Sequence, residues 1–494
     1  MKKTLLTILA LIYVSIINAQ TGNVFFGDAI LHEIRFDNID TATFFLSTNK
    51  GVYSACKISI DGTVIDSIGA TTKGNISWSY PNNKKPLKVD LNQFVSGKKY
   101  DGIKKFYLHN SYEDPSLMRE KLTYDICKLM GLHSLRTAFS RVYINNVYWG
   151  LYTLIEAKDE LYKRDFGNKD SEVYETFDLG SPCVFNQSPV YWSVDNGNPA
   201  PTWPHLQILT EKLTNTPVNQ YLDTIPNYIN ISDFFKYQAM NTYLLNFDSY
   251  LQYNGNQLYL FDSLLEKRFQ IIPWDFNASF GLWGTSNYNP NTLEIIPSLI
   301  STKCPFDKLN DIPQLKKTYL DAMCLLKNVY CDTLTLNNKI GFFYNQIKTA
   351  VYADNRKMPT NAQFDEGVQY GYQIFGGSFD NVPGLKTFVK ERWLKINSDL
   401  QSLSYNCTTG IVPYNPASWL IYPNPTRDIF YIKGGKVGTK ISLVNVFGQN
   451  QLSASIDSPN NFEVNITRLQ TGLYYLIITD IDGKLTVHKI MKIE

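Results

Sequence analysis

The chain has no CxxC pair and no two histidines at HxxxH or HExxH spacing among His32, His109, His133, His205 and His488. Neither a zinc ribbon nor a histidine metalloprotease centre is therefore written in it, and a histidine-based metal site is not expected. Its seven cysteines are odd in number and widely scattered, which excludes a dense disulfide framework. One or two bridges remain compatible with export, and the pairs to expect are Cys324 with Cys331 or with Cys304. Charge of neither sign predominates: 47 Lys and Arg stand against 45 Asp and Glu, interspersed, for a net charge of +2. Composition thus offers no electrostatic case for a nucleic-acid or membrane-surface partner. Beyond residue 20 no apolar run approaches the roughly 20 residues that cross a bilayer.

What the body of the chain lacks, its first twenty residues have. MKKTLLTILALIYVSIINAQ carries two lysines, an apolar stretch from Leu5 to Ile17, and small or polar residues at Asn18, Ala19 and Gln20. This is the layout of a secretory signal peptide, residues 1–19, cleaved after Ala19. The mature chain is expected to be exported, soluble and without a transmembrane segment. At this length more than one core is expected, hence two or more domains.

A boundary falls near residue 415, where Pro, Asn and Thr dominate and the helical pattern stops. Beyond it short alternating runs, DIFYIKG, KISLVNVFGQ, NFEVNI, GLYYLIITD and LTVHKIMKI, are separated by turn residues. Such spacing predicts a small all-β sandwich. The motifs YPNP (422–425), VNVFGQ (444–449) and LQTGLYYLII (469–478), with a basic, apolar last strand, resemble the type A C-terminal sorting domain of the type IX secretion system. The resemblance implies that residues 420–494 address the protein to that secretion machinery and to the cell surface or the medium, with 411–419 as linker. No exposed aromatic platform marks the tail as a carbohydrate binder.

The chemistry is expected in residues 20–410. A Gly74-Asn75-x-Ser turn precedes the strand KKPLKVDLNQF (84–94). Glycine admits close backbone approach and a lysine, Lys85 or Lys88, supplies a point charge, as a phosphate-gripping loop requires. Lys85 shares the apolar face of that strand, whereas Lys88 projects to the other. The stretch 114–132 reads as a helix capped by Asp114, with Arg119 flanking its apolar stripe and Glu120 pointing away. Arg119 is thus the better placed to reach a cleft. A hairpin at 140–161 turns at Asn145-Asn146, and its second strand ends at Glu156; two strands, a turn and a helix after a lysine strand resemble the small lobe of a kinase, in which the segment after this hairpin would be the hinge. Residues 165–230 read as a long loop. A helix over 230–250, with its cap signal at Ser232 and Asp233, delivers Asp248 just past its end. A second hairpin carries the chain to IIPWDFNASFG (271–281), which sets Asp275 at the end of a strand. Two carboxylates, amides at Asn254 and Asn256, and a lysine are the groups phosphoryl transfer needs, and hard oxygen ligands suit Mg²⁺ or Mn²⁺.

In this order KGNISW, KKPLKVD, DPSLMREKL, VYINNVYWGLYTLIE, NFDSYLQYNGNQLYLF and IIPWDFNASFG resemble the CotH family of atypical, kinase-like proteins. The resemblance implies an α+β fold, a divergent two-lobed protein-kinase-like domain, followed here by the sandwich. It implies ATP-dependent phosphorylation of Ser or Thr in exported or surface proteins. Matched by position, Asp248 is the acid of the catalytic loop, Asp275 the metal-binding acid, Asn256 or Asn254 the loop asparagine, and Lys85 or Lys88 the nucleotide lysine. Two positions depart from the family pattern: Lys73 stands where an Arg commonly precedes Gly-Asn, and Asn277 where a second acid commonly follows the metal acid. The alternative reading is a non-catalytic surface protein, structural or adhesive, that retains the kinase-like fold.

Overall fold

Alternating apolar residues between 31 and 156 form strands that close on themselves. The computed structural model describes residues 21–493 except 80–82, 178–180, 189–190, 198–201, 251–257, 264–265, 285–288, 299–300, 302, 370, 373–381, 408–419, 434–436, 446–448, 458–461 and 480–484. Seven strands, β1 (Leu31–Asp37), β2 (Ser54–Ile60), β3 (Thr63–Thr72), β4 (Leu87–Asp90), β5 (Lys105–His109), β6 (Thr137–Ile144) and β7 (Val147–Glu156), form a closed barrel in the order β1-β2-β3-β4-β5-β7-β6. Neighbours run antiparallel except β6, which closes the barrel parallel to β1. Closure leaves no unpaired edge. Every second residue points inward, so Ile34, Phe36, Ile58, Ile60, Leu87, Val89, Phe106 and Leu108 make a core of their own. The Asn145-Asn146 turn is as expected, with φ of 49° and 63°, the left-handed pair that a two-residue hairpin needs.

The opposite faces of β5, β6 and β7 offer Tyr107, Phe139, Leu151 and Ile155 to a second, larger core. Its helices are α1 (Arg119–Leu129), α2 (Lys158–Phe166), α3 (Pro204–Asn215), α4 (Ile231–Tyr243), α5 (Pro313–Leu325), α6 (Thr333–Ala353), α7 (Asn361–Gln369) and α8 (Leu385–Ser402). Among them lies a four-stranded sheet, order β11-β10-β8-β9, of β8 (Val173–Thr176), β9 (Trp192–Asn196), β10 (Tyr259–Ser263) and β11 (Arg268–Ile272). The class is thus α+β. A two-residue ribbon, β12 (Gly371–Tyr372) with β13 (Val382–Pro383), completes this part. No helix among the described residues is long and apolar enough to cross a membrane.

Several local expectations change. Residues 165–230 hold β8, β9 and α3 rather than one long loop, because Tyr174 and Trp192 are core residues that pair their strands. The helix expected from 114 starts at Arg119, since Glu113 and Leu117 have φ of 60° and 53° and cannot continue a helix. Asp114 nonetheless serves that end: its Oδ2 accepts a bond from Arg119 N at 2.8 Å. The cap of α4 is Asn230, not Ser232 or Asp233: Asn230 Oδ1 accepts from Asp233 N at 3.2 Å while Asn230 Nδ2 donates to Asp233 Oδ2 at 2.8 Å. The disulfides are Cys183–Cys304 and Cys324–Cys407, with Cα separations of 5.9 and 5.5 Å. Neither expected pair forms. Cys331 follows Cys324 by two turns of nearly continuous helix, about 10 Å, beyond the reach of a bridge, and stays a buried thiol.

The tail packs two sheets, β14 (Leu420–Tyr422), β15 (Ile429–Lys433) and β18 (Phe462–Asn465) in one, β17 (Asn450–Ser455), β16 (Lys440–Asn445), β19 (Gly472–Thr479) and β20 (Leu485–Lys492) in the other. Phe430, Ile432, Leu443, Val464, Leu476 and Ile490 fill the space between. Among the described residues the sandwich has seven strands, two more than the five apolar runs suggest. The residues read as signal peptide (1–19) and as linker (411–419) lie outside the described ones.

Candidate functional site

Strand β11 ends at Ile272 because Pro273 has no N–H to continue the ladder. The chain then turns with Asp275 at φ 59°, a left-handed conformation that Asp tolerates better than most side chains. What aims it is Trp274, buried edge-on against three rings. Centroid distances are 5.8 Å to Tyr107, 5.9 Å to His109 and 6.3 Å to Tyr259. The site's acid is therefore held by a hub that joins barrel strand β5 to sheet strand β10.

Lys73, the residue after β3, reaches the same hub. Its Nζ lies 4.5 Å from the Tyr107 centroid and 5.1 Å from that of Trp274, cation–π contacts that partly replace lost water. Nζ donates to His109 Nε2 at 3.0 Å, and His109 Nδ1 lies 2.9 and 3.2 Å from the two oxygens of Glu120. An ammonium can only donate, so this network places the imidazole proton on Nδ1, donating to Glu120. Burial pulls Lys73 down to about 8; Asp275 and Glu120 oppose this, and Lys158 and Lys88 reinforce it.

Carboxyls from several elements, Glu120, Glu175, Asp248 and Asp275 among them, influence one another here. Burial raises Asp275 above the usual carboxylate range and Glu120 adds to it, against His109, Lys73 and Lys158. Asp248, four residues after Leu244 closes α4, is pushed up to about 7 by burial, then by Asp275 and Glu175. Glu175 on β8 is raised by burial, and by Asp195 and Asp275, with Tyr259 and Lys158 opposing. Lys158, at the start of α2, pairs with Asp195 and lies 4.5 Å from the Trp274 centroid. Acids that disfavour one another's charge, beside lysines, offer hard oxygens of the kind that a divalent cation would relieve.

Alongside lies a cleft of about 370 Å³, lined by Lys50, Tyr53, Lys73, Lys88, Lys158 and Trp274, among others. Four ammonium groups and aromatic walls suit a polyanionic ligand with a flat ring.

The residues singled out from sequence divide. Asp248 and Asp275 come together, and Lys88, opposite Thr71 of β3, lines the cleft. Lys85 does not: it is buried with its Nζ 4.6 Å from the Trp78 ring. Gly74 and Asn75 follow the cleft-lining Lys73 without lining it themselves; Gly74 O accepts a bond from Lys50 Nζ at 3.1 Å and Asn75 O one from Trp78 N at 3.1 Å. Arg119 and Glu120 exchange roles. Fully buried, the Arg119 guanidinium donates to Asp114 Oδ1 at 2.6 Å and Pro383 O at 2.7 Å, while Glu120 is the residue that faces the site. The cause is that α1 is buried from Arg119 through Tyr124, more than a full turn, so the face opposite its apolar stripe also meets the interior. Glu156 is no hinge contact either. It is buried, accepting from Arg136 Nη2 at 2.5 Å and from Arg164. Asn254 and Asn256 lie outside the described residues, and Asn277 is partly exposed. His109, Glu120, Lys158 and Glu175 escaped the sequence reading. Only HN at the end of KKFYLHN, a polar pair closing an apolar run, marked His109, and nothing local marked the other three.

Residues 70–393 match the family described as CotH kinase protein, and residues 420–493 match the secretion system C-terminal sorting domain. A curated relative, the inner spore coat protein H of Bacillus subtilis (strain 168), is 25% identical over 196 residues, 38% of this chain and 53% of that protein. The chain thus spans about half the length of that relative.

Proposed function

The chain belongs to the CotH kinase protein family, and on that premise we propose that it is an exported phosphotransferase, moving the γ-phosphoryl of ATP to Ser or Thr of envelope or extracellular proteins. The observation that carries the reading is the mutual electrostatic influence of Asp248 and Asp275, delivered from separate elements beside a lysine-lined cleft. Asp248, pushed up to about 7, is poised to accept the proton of an attacking hydroxyl near neutral pH. Asp275, with Glu175 nearby, has the hard-oxygen chemistry that suits Mg²⁺ or Mn²⁺, and such an ion, when bound, neutralises phosphate charge. Lys88 and Lys158 would grip the phosphates, and the Tyr53, Tyr107 and Trp274 walls would exclude water. In this reading the barrel stands where a kinase has its small lobe, and the helices with β8–β11 stand for the large one. The tail, a secretion sorting domain, would hand the protein to type IX machinery for export or surface display.

Transfer of labelled phosphate by the mature chain, with Mg²⁺ or Mn²⁺ and including autophosphorylation, tests this beside Asp275→Ala. Absence of any transfer above that variant rejects it.

One observation favours the non-catalytic alternative. Lys73 is already committed to His109 and sits where Asp275 and Glu120 both act on it, so the chain's own ammonium could do the neutralising that a metal does elsewhere. A melting temperature unmoved by ATP with Mn²⁺ would select this reading.

A further inference from the structure

A second group of ligating side chains lies outside the cleft. Glu172, His205 and Asp262 each offer one oxygen or nitrogen, and the three atoms lie within 4.8 Å of one another. They come from three elements: the residue before β8, the second residue of α3, and the fourth residue of β10. Strand pairing of Phe261 with Val173 and a bond from Asp262 N to Glu172 O at 2.9 Å hold the two acids side by side. His205 follows Pro204, whose fixed φ starts α3 and sets the ring over them. The Asp262 carboxylate is 8% exposed, and His205 Nδ1 approaches its Oδ2 at 2.5 Å. Glu172 is oriented in turn by Tyr174, whose hydroxyl donates to Glu172 Oε2 at 2.6 Å. That outer contact is the kind that orients a metal-ligating carboxylate. A cavity of about 300 Å³, lined by His205, Asp262, Tyr228 and Arg268 among others, opens beside the group.

We propose that Glu172, His205 and Asp262 form a binding site for a divalent cation of the Zn²⁺ class, with its fourth position open to the adjoining cavity. The chemistry fits: one imidazole and two carboxylates are a borderline ligand set, and three protein ligands with an open position are the arrangement of a non-structural zinc site. Asp262 lies three positions from Tyr259 along β10, and Glu172, the residue before β8, lies three positions from Glu175, about 10 Å in each case. The same two strands therefore carry both sites. A bound ion would clamp β8, β10 and α3 together and stiffen the sheet that presents Glu175 and Tyr259.

The competing account is a plain His205–Asp262 ion pair. Calorimetric titration of the metal-free mature chain with Zn²⁺, in saturating Mg²⁺ to occupy hard-oxygen sites, separates the two. The site predicts one Zn²⁺ that Asp275→Asn retains, that His205→Ala and Glu172→Gln lose, and that Tyr174→Phe binds about 10-fold more weakly. His205 is half-exposed, so its replacement tests ligation without emptying the core. Unchanged Zn²⁺ stoichiometry and affinity in His205→Ala and Glu172→Gln overturns the proposal. Replacing Zn²⁺ by Co²⁺ gives a second readout: a visible absorption band sensitive to His205→Ala supports the site, and one indifferent to it rejects it.

Discussion

Lys73 Nζ donates to His109 Nε2 at 3.0 Å, and His109 in turn holds Glu120. A lysine thus ends a three-residue chain running from α1 through β5 to the acids of the site. Because Arg carries a wider, planar fork, Lys73→Arg is not conservative here.

Replacing Lys73 by Met should stabilise the metal-free protein at pH 7. Its folded ammonium is pulled down to about 8 from 10.5, so the charge disfavours folding below that range. Between pH 8 and 10.5 the folded state releases its proton first, the unfolded state binds more, and stability rises with pH. The advantage of Lys73→Met, up to about 3 kcal/mol at pH 7, should shrink towards pH 10. Urea unfolding at both pH values reads it; an advantage independent of pH would mean that packing, not charge, decides.

Asp248→Asn should separate stability from activity. The folded carboxyl keeps its proton up to about 7, against a model-peptide value of 3.8. Stability contributed at low pH is therefore lost as pH rises through this window. Without metal, the variant's gain over wild type should grow by about 2–3 kcal/mol between pH 5 and pH 8. Phosphate transfer should fall at least about 100-fold at every pH, the usual loss of a general base.

Lys88→Ala and Lys85→Ala should part company. Lys88 lines the cleft and Lys85 is buried over Trp78. The first should weaken the thermal shift given by ATP with Mn²⁺ and leave the unliganded melting point alone. The second should lower the melting point, by about 1–3 kcal/mol of stability, while a properly folded fraction still responds to nucleotide.

Glu156→Gln should act through stability, not through nucleotide affinity. Two partly buried arginines, Arg136 and Arg164, share that fully buried carboxylate, and removing it leaves their charge less compensated, at a cost of about 3 kcal/mol. Chemical denaturation measures this directly. A weakened nucleotide response at unchanged stability would restore Glu156 to the cleft.

Much of the fold was legible because strands and helices announce themselves locally. KISI, LKVD and FEVN alternate, so their strands could be read. The helix over 231–243 shows its apolar stripe, and Asn145-Asn146 shows its turn. Residues 165–230 were not legible: β8 and β9 are short, and they exist because β10 pairs with β8 across more than eighty residues. Nor was barrel closure, which rests on the parallel pairing of β1 with β6 over a hundred residues away. Arg119 and Glu120 were assigned in the wrong order because the sequence shows one apolar stripe, whereas α1 is enclosed on all sides from Arg119 to Tyr124, so the polar face is interior as well.

The sequence by itself determined the family and the C-terminal sorting domain, and it singled out Asp248 and Asp275, since each rests on local pattern or ordered motifs. Only the tertiary structure decided what surrounds that pair. Lys73, His109, Glu120, Glu175 and Trp274 lie far apart in the chain and carry no shared spacing, and packing alone brings them together. The electrostatic character of Asp275 follows from the same cause: burial and neighbouring charge, which no stretch of eleven residues contains.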